Sequence, residues 1–173
     1  LMTSKDKIEE ISMCKKDAMV ISHMSALSSK TDIEEYAKAS ITTFAMDLMP
    51  RISRAQSMDV LSSQSNLSGY QAVIKGANNF NSAFPMMMTA AGTVAPAKVF
   101  IIGAGVAGLQ AIATARRMGA NVTAFDTRPV AEEQVRSLGA SFLKIDLGET
   151  GQTDQGYAKE LTQEQLDMQR EMM

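Results

Sequence analysis

The chain has 173 residues, 45% hydrophobic and 21% charged, with a net charge of −2. That is enough apolar material for a packed core, and it leaves no basic field to hold nucleic acid or an anionic membrane. A single cysteine, Cys14, excludes an internal disulfide and, with no signal peptide to be read, points to a reducing compartment. No run approaches the roughly 18 consecutive apolar residues of a membrane-spanning helix.

In chain order, residues 18–24 (AMVISHM) read as a short buried strand, 31–39 (TDIEEYAKA) as a helix capped by Thr31 or Asp32, and 41–47 (ITTFAMD) as a second strand, together an incomplete β-α-β unit. The only histidine, His23, falls in that first apolar strand without an adjacent acid, which predicts a core residue rather than a general base. Pro50 punctuates the chain. From Ser53 to about Ile74 the pattern is helical, with Gly69 the point where it could break. Within this stretch the segment PRISRAQSMDVLSSQSN, 50–66, is poor in charge for an exposed helix and rich in serine. On α-helical spacing Gln56, Asp59 and Ser63 share one face, as do Asp59, Ser62 and Asn66. Residues 75–85 are turn-rich, Met86, Met87 and Met88 read as packing or linker residues rather than metal ligands, and 90–98 (AAGTVAPAK) reads as an interdomain connector.

The second half is more regular. KVFII, 98–102, is a continuous apolar run, the pattern of a parallel strand covered on both faces. GAGVAG follows, then a helix ending at Gly119, a strand at 121–126, a helix ending at Gly139 and a strand at 141–146 (SFLKID). The architecture predicted is α/β with parallel sheets. Residues 148–160 are glycine-bearing, polar and too long for a tight turn; they read either as a lid with Tyr157 as its aromatic handle or as a disordered surface loop. Both termini read as cut, the last at a helix that stops abruptly.

Gly103, Gly105 and Gly108 form G-x-G-x-x-G between a strand and a helix. The first glycine permits the turn, the second lets backbone approach a pyrophosphate, and the third lets helix and strand pack. The helix N-terminus contributes free N–H groups and a partial positive charge. Asp126 ends the next strand, where a carboxylate accepts hydrogen bonds from an adenosine ribose and disfavours a 2′-phosphate, so NAD is the expected dinucleotide. Arg128 either stacks on adenine or lies in solvent. No nucleophile elbow and no metal-ligand spacing is present, so the chemistry expected is the cofactor's own.

MPRISRAQSMDVLSSQSNLSGYQAVI, TAAGTVAPAKVFIIGAGVAGLQAIATARRMGANVTAFDTRP, EEQVRSLGASFLKID and GYAKE together closely resemble the NAD(H)-binding component, the alpha subunit or first domain, of proton-translocating nicotinamide nucleotide transhydrogenases. The match runs from about Ile41 to about Glu160. The run RISRAQSMDVLSS separates it from the sister alanine dehydrogenases. The resemblance implies two Rossmann-like parallel-sheet domains, both incomplete here, joined by long helices: residues 1–50 from the first α/β domain, 51–84 as connecting helices, and 85–173 as the first half of the NAD-binding domain. It also implies a role for each matching residue. Arg51, Gln56, Asp59 and Ser62 would position the nicotinamide and its carboxamide. Gly103, Ala104, Gly105, Val106, Ala107 and Gly108 would hold the pyrophosphate, Asp126, Thr127 and Arg128 the adenosine, and Tyr157 would sit on a mobile loop.

The activity implied is hydride transfer from NAD(H) to NADP+ on a separate domain, coupled to proton translocation through a membrane domain. A homodimer is implied as well, on the cytoplasmic face of a bacterial inner membrane or the matrix face of an organelle's. The chain reads as a truncated piece, inactive alone. The alternatives are a soluble NAD-dependent amino-acid dehydrogenase of the alanine dehydrogenase type, whose substrate-binding Arg/Lys set and catalytic histidine are not visible, and a non-catalytic nucleotide-binding remnant.

Overall fold

The computed structural model describes residues 4–148, 150, 151, 153 and 158–173. The chain divides into two compact units, Leu1–Leu61 and Ser62–Met173, each α/β with a parallel sheet.

In the first unit, α1 (Ser4–Met13) is followed by β1 (Met19–Ser22), α2 (Lys30–Lys38) and β2 (Thr42–Ala45). β1 and β2 pair in parallel, Met19 opposite Thr42 and Ser22 opposite Ala45, which requires a crossover such as α2 provides. Tyr36 on α2 and Ile41 at the strand entry bury with Met24, and Ile33 and Val20 pack against them. That burial, more than local propensity, holds so short a helix. α2 starts at Lys30 with Ser29 before it and no cap bond from the Ser29 side chain, so the helix begins ahead of the expected Thr31 or Asp32 and both lie in its first turn. β2 is shorter than its sequence pattern and turns into a 3-10 helix, Met46–Leu48. There the Asp47 carboxylate accepts N–H bonds from Met24 (2.8 Å) and Ala26 (3.3 Å). Burial raises the Asp47 carboxyl, but those bonds and the nearby His23 outweigh it and hold the group below its ordinary value. His23 itself is exposed: it follows the largely exposed β1 in irregular chain and does not enter the core.

The second unit starts within α3 (Val60–Asn79) and continues through an antiparallel hairpin, β3 (Met87–Thr89) and β4 (Gly92–Val94), to β5 (Lys98–Ile102). Then come α4 (Val106–Arg117), β6 (Asn121–Phe125), α5 (Ala131–Ser137), the two-residue β7 (Ser141–Phe142) and α6 (Gln163–Met172). β5, β6 and β7 form a parallel sheet in that order. The core lies between sheet and helices: Ala111, Ile112 and Ala115 of α4 meet Val122 and Ala124 of β6 and Val135 of α5, with Val73 of α3 in the same cluster. Gly119 and Gly139, both at positive φ, end α4 and α5 in the left-handed conformation that glycine adopts without strain.

Four expectations change here. α3 runs unbroken through Gly69 and on to Asn79, into the stretch read as turns. The connector read at 90–98 is partly the second strand of a hairpin, and Met86, Met87 and Met88 before it, read as packing or linker residues, are exposed, which fits the linker alternative. β7 covers only the first two residues of SFLKID, although the Leu143 N–H still bonds the Ala124 carbonyl at 2.8 Å. β5 is not covered on both faces. Its burial alternates, leaving Phe100 43% and Ile102 66% exposed: successive side chains point to opposite faces, and among the described residues only one face is covered. β5 also pairs only with β6 there and forms an edge of the sheet.

Candidate dinucleotide site

The turn between β5 and α4 is built by what its three glycines each permit. Gly103 has φ +90, a left-handed conformation that costs a side-chain-bearing residue but not glycine. Its N–H donates to the Phe125 carbonyl at 2.7 Å, so the turn begins as an extension of the β5–β6 ladder. A Cβ on Gly108 would lie 1.8 Å from the Gly103 carbonyl oxygen, so only glycine lets the first turn of α4 fold back onto the strand end. Gly105, the residue preceding α4, is extended (φ −80, ψ −165), and a Cβ there would meet nothing within 4 Å. Two glycines are thus required by the fold, and the third keeps open space above the N-terminus of a helix, where orphan N–H groups attract anions.

Asp126, one residue past β6, ties the turn from the other side. Its Oδ2 accepts the Ala104 N–H at 2.7 Å, and its Oδ1 accepts the Arg128 N–H at 2.8 Å, the two-residue reach typical of an aspartate turn. The Arg128 guanidinium adds a bidentate pair, Nε to Oδ1 and Nη2 to Oδ2, both at 2.9 Å. The Arg128 and Asp126 side chains are 14% and 6% exposed respectively. Burial pushes the Asp126 carboxyl up, and it is outweighed by the Arg128 hydrogen bonds and charge together with the Ala104 and Arg128 N–H groups. The net result is a carboxylate that titrates below its ordinary value. The hydrogen bond to Asp126 raises Arg128 in turn, against the effect of burial. Arg128 is therefore not free in solvent: it is clamped to Asp126. Ala104 is buried behind the turn, and Val106, Ala107 and Thr127 complete its walls as partly or largely exposed residues.

Sequence reasoning misses one participant in this region, Gly69 of α3. A Cβ on Gly69 would lie 2.0 Å from the carbonyl oxygen of Ala107, so α3 crosses the start of α4 at backbone contact. The glycine that reads as a break is the close-approach point that sets α3 against the turn. Its place in a helix interior, where glycine costs about 1 kcal/mol relative to alanine, is the available signal.

The residues expected near the nicotinamide are arranged differently from the sequence pattern. Arg51, Gln56 and Asp59 belong to the first unit, and Ser62 begins the second. Ser53–Met58 is a 3-10 helix seated on the buried Ala55, with Arg51 and Gln56 exposed. The Asp59 N–H donates to the Gln56 carbonyl at 3.3 Å, and Asp59, at ψ 86, ends that helix immediately before α3. α-helical spacing therefore does not extend from Gln56 to Ser63, and the single polar face predicted across them does not exist. A 3-10 turn holds three residues rather than 3.6, and the regular helix is interrupted at Asp59. Ser62 and Asn66 do lie on α3, on the N-terminal side of Gly69. Tyr157, with residues 149, 152 and 154–156 of the proposed lid, lies outside the described residues. Among the described residues no group of His, Cys, Asp and Glu is placed to hold a metal ion, and no helix is long and apolar enough to cross a membrane.

The chain is similar to known proteins over most of its length. The family described as alanine dehydrogenase/PNT, C-terminal domain, matches residues 72–171, and its N-terminal domain matches residues 3–68. The first part of NAD(P) transhydrogenase subunit alpha from Rhodospirillum rubrum is 55% identical over 165 residues, covering 94% of this chain and 43% of that protein. A crystal structure of transhydrogenase from Sinorhizobium meliloti superposes with a TM-score of 0.76 at 62% identity, over 79% of this chain and 41% of that one. An L-alanine dehydrogenase structure shares the fold, with a TM-score of 0.65 at 22% identity over 80% of this chain and 40% of its own. The chain thus spans less than half the length of these relatives. With both family domains matched in order and the glycine turn, Asp126 and α4 in their expected places, the chain belongs to the alanine dehydrogenase/PNT family.

Proposed function

We propose that this chain supplies the NAD(H)-binding side of a transhydrogenase, holding the dinucleotide so that its nicotinamide exchanges hydride with NADP+ on a separate domain. The observation that carries the reading is the open space at Gly105 above the α4 N-terminus, between two glycines the fold itself requires. In this reading the N–H groups of residues 104–108 bind the pyrophosphate, and Asp126 takes the adenosine ribose. Arg51, Gln56, Asp59 and Ser62 orient the nicotinamide carboxamide, for which Gln, Asp and Ser supply both donors and acceptors. The bound cofactor supplies the hydride chemistry, and these residues supply fixed orientation rather than a proton.

The names of the relatives support the transhydrogenase over the dehydrogenase reading. Coupling to proton movement, attachment to the NADP-binding and membrane domains, the cytoplasmic or matrix face, and a homodimer extend the proposal to the assembled enzyme.

Fluorescence titration with NADH tests it. Among the described residues β5 is an edge strand, and dinucleotides bind across the point where strand order reverses, beside the first strand. The chain therefore holds chiefly the adenosine half, and saturable binding weaker than micromolar is expected. L-Alanine and NAD+ should yield no NADH. Alanine-dependent NADH formation would establish the dehydrogenase instead, and absence of any saturable binding would remove the nucleotide reading.

A further inference from the structure

The hydrogen-bond count at Asp126 leaves no place for a ribose. A carboxylate offers about four lone-pair positions, and here four donors occupy them: the N–H groups of Ala104 and Arg128, and Nε and Nη2 of Arg128. The two backbone donors are fixed. The Ala104 N–H belongs to the glycine turn and the Arg128 N–H to the aspartate turn, and Pro129 restricts Arg128 to extended backbone. Only the guanidinium can leave by side-chain rotation.

We propose that Arg128 is a built-in competitor for the adenosine ribose, its forked guanidinium standing where a vicinal diol would donate, so that ligand binding requires its release from Asp126. This deepens the dinucleotide reading and rests on it. A guanidinium fork and a ribose diol both present two donors to the two oxygens of one carboxylate, so the exchange keeps Asp126 satisfied in both states. With Arg128 engaged, the buried carboxylate has a partner for its charge without ligand, which prevents an unpaired ion at the strand end. Affinity for the diol is reduced by the fraction of time the clamp is closed. Arg128 is accordingly a specificity-determining residue: a ligand without two ribose hydroxyls has nothing with which to displace it.

The test uses the 173-residue chain with ADP-ribose, following the Arg128 Nε–H resonance by NMR and affinity by calorimetry. At saturation the Nε–H signal should move from its carboxylate-bonded position to that of a solvent-exposed arginine. Arg128→Gln, which cannot reproduce the fork, should bind ADP-ribose about five-fold more tightly. An analogue lacking both adenosine-ribose hydroxyls should leave the Nε–H signal in place and gain nothing from the substitution, a contrast that a purely structural role would not produce. Binding of ADP-ribose by the wild-type chain with an unmoved Nε–H signal would overturn the competitor role and leave the dinucleotide reading intact, as would unchanged or weaker binding by a folded Arg128→Gln chain. Absence of binding by the wild-type chain would overturn both. The wild-type NMR measurement decides the question even if the variant does not fold.

Discussion

The turn at residues 103–108 is built of glycine and other small residues and the segment at 50–66 is rich in serine, and they behave in opposite ways. In the turn, each glycine answers a backbone demand: a positive φ at Gly103, a carbonyl 1.8 Å from where a Cβ would sit at Gly108, open space at Gly105. In the segment, small hydroxyl-bearing residues leave the backbone undecided, and it forms a 3-10 helix, a break and an α-helix in succession. Serine and aspartate compete with helical hydrogen bonds through their side chains, so their pattern does not set a period. Smallness imposed by sterics is informative, and smallness that only lowers helix propensity is not.

Substitutions at the close-approach glycines should break this contrast hardest. Gly108→Ala forces a methyl into the Gly103 carbonyl, and Gly69→Ala forces one into the Ala107 carbonyl. Each should cost about 3 kcal/mol in urea unfolding of the second unit. Gly76→Ala, on the same helix as Gly69 with nothing within 4 Å of the new Cβ, should gain up to about 1 kcal/mol. If Gly69→Ala and Gly76→Ala behave alike, α3 does not cross α4 at backbone contact.

A smaller effect is expected at Asp126, which joins the turn to the end of β6. Asp126→Asn should lower stability at neutral pH by about 2 kcal/mol, since it removes the charge that Arg128 pairs with. The folded carboxyl titrates below the ordinary 3.8. Its contribution is therefore complete above roughly pH 5, is lost as pH falls through the folded value, and vanishes below it. The variant's acid unfolding curve should be correspondingly flatter between about pH 5 and the acid limit, and parallel curves would contradict the pairing. At the junction of the 3-10 helix and α3, Asp59→Ala should cost about 1 kcal/mol, the usual worth of an aspartate before a helix. It should do so without altering the glycine turn, as amide chemical shifts would report.

How much can be read from residues alone follows the same division. The β5-turn-α4-β6 succession is legible because apolar strand, glycine spacing and the terminal Asp126 are local and mutually consistent. The Arg128 clamp is not, because two side chains two residues apart can equally point apart, and only the aspartate turn before Pro129 brings them together. Gly69 reads as a break because its partner, Ala107, is remote in sequence. His23 reads as a core residue only if β1 is a buried strand, whereas Met19 and Ile21, on the face His23 would continue, are exposed. The alternation of exposure along β5 is hidden by an apolar run that does not announce its uncovered face.

The most direct test is Gly105→Ala. The new methyl meets no protein atom within 4 Å and the backbone is already extended, so stability should change by at most about 1 kcal/mol. ADP-ribose binding should fall at least about ten-fold, because the methyl occupies the space a pyrophosphate needs. A folded Gly105→Ala chain that binds ADP-ribose as well as the wild type would contradict the assignment of this turn as the phosphate site.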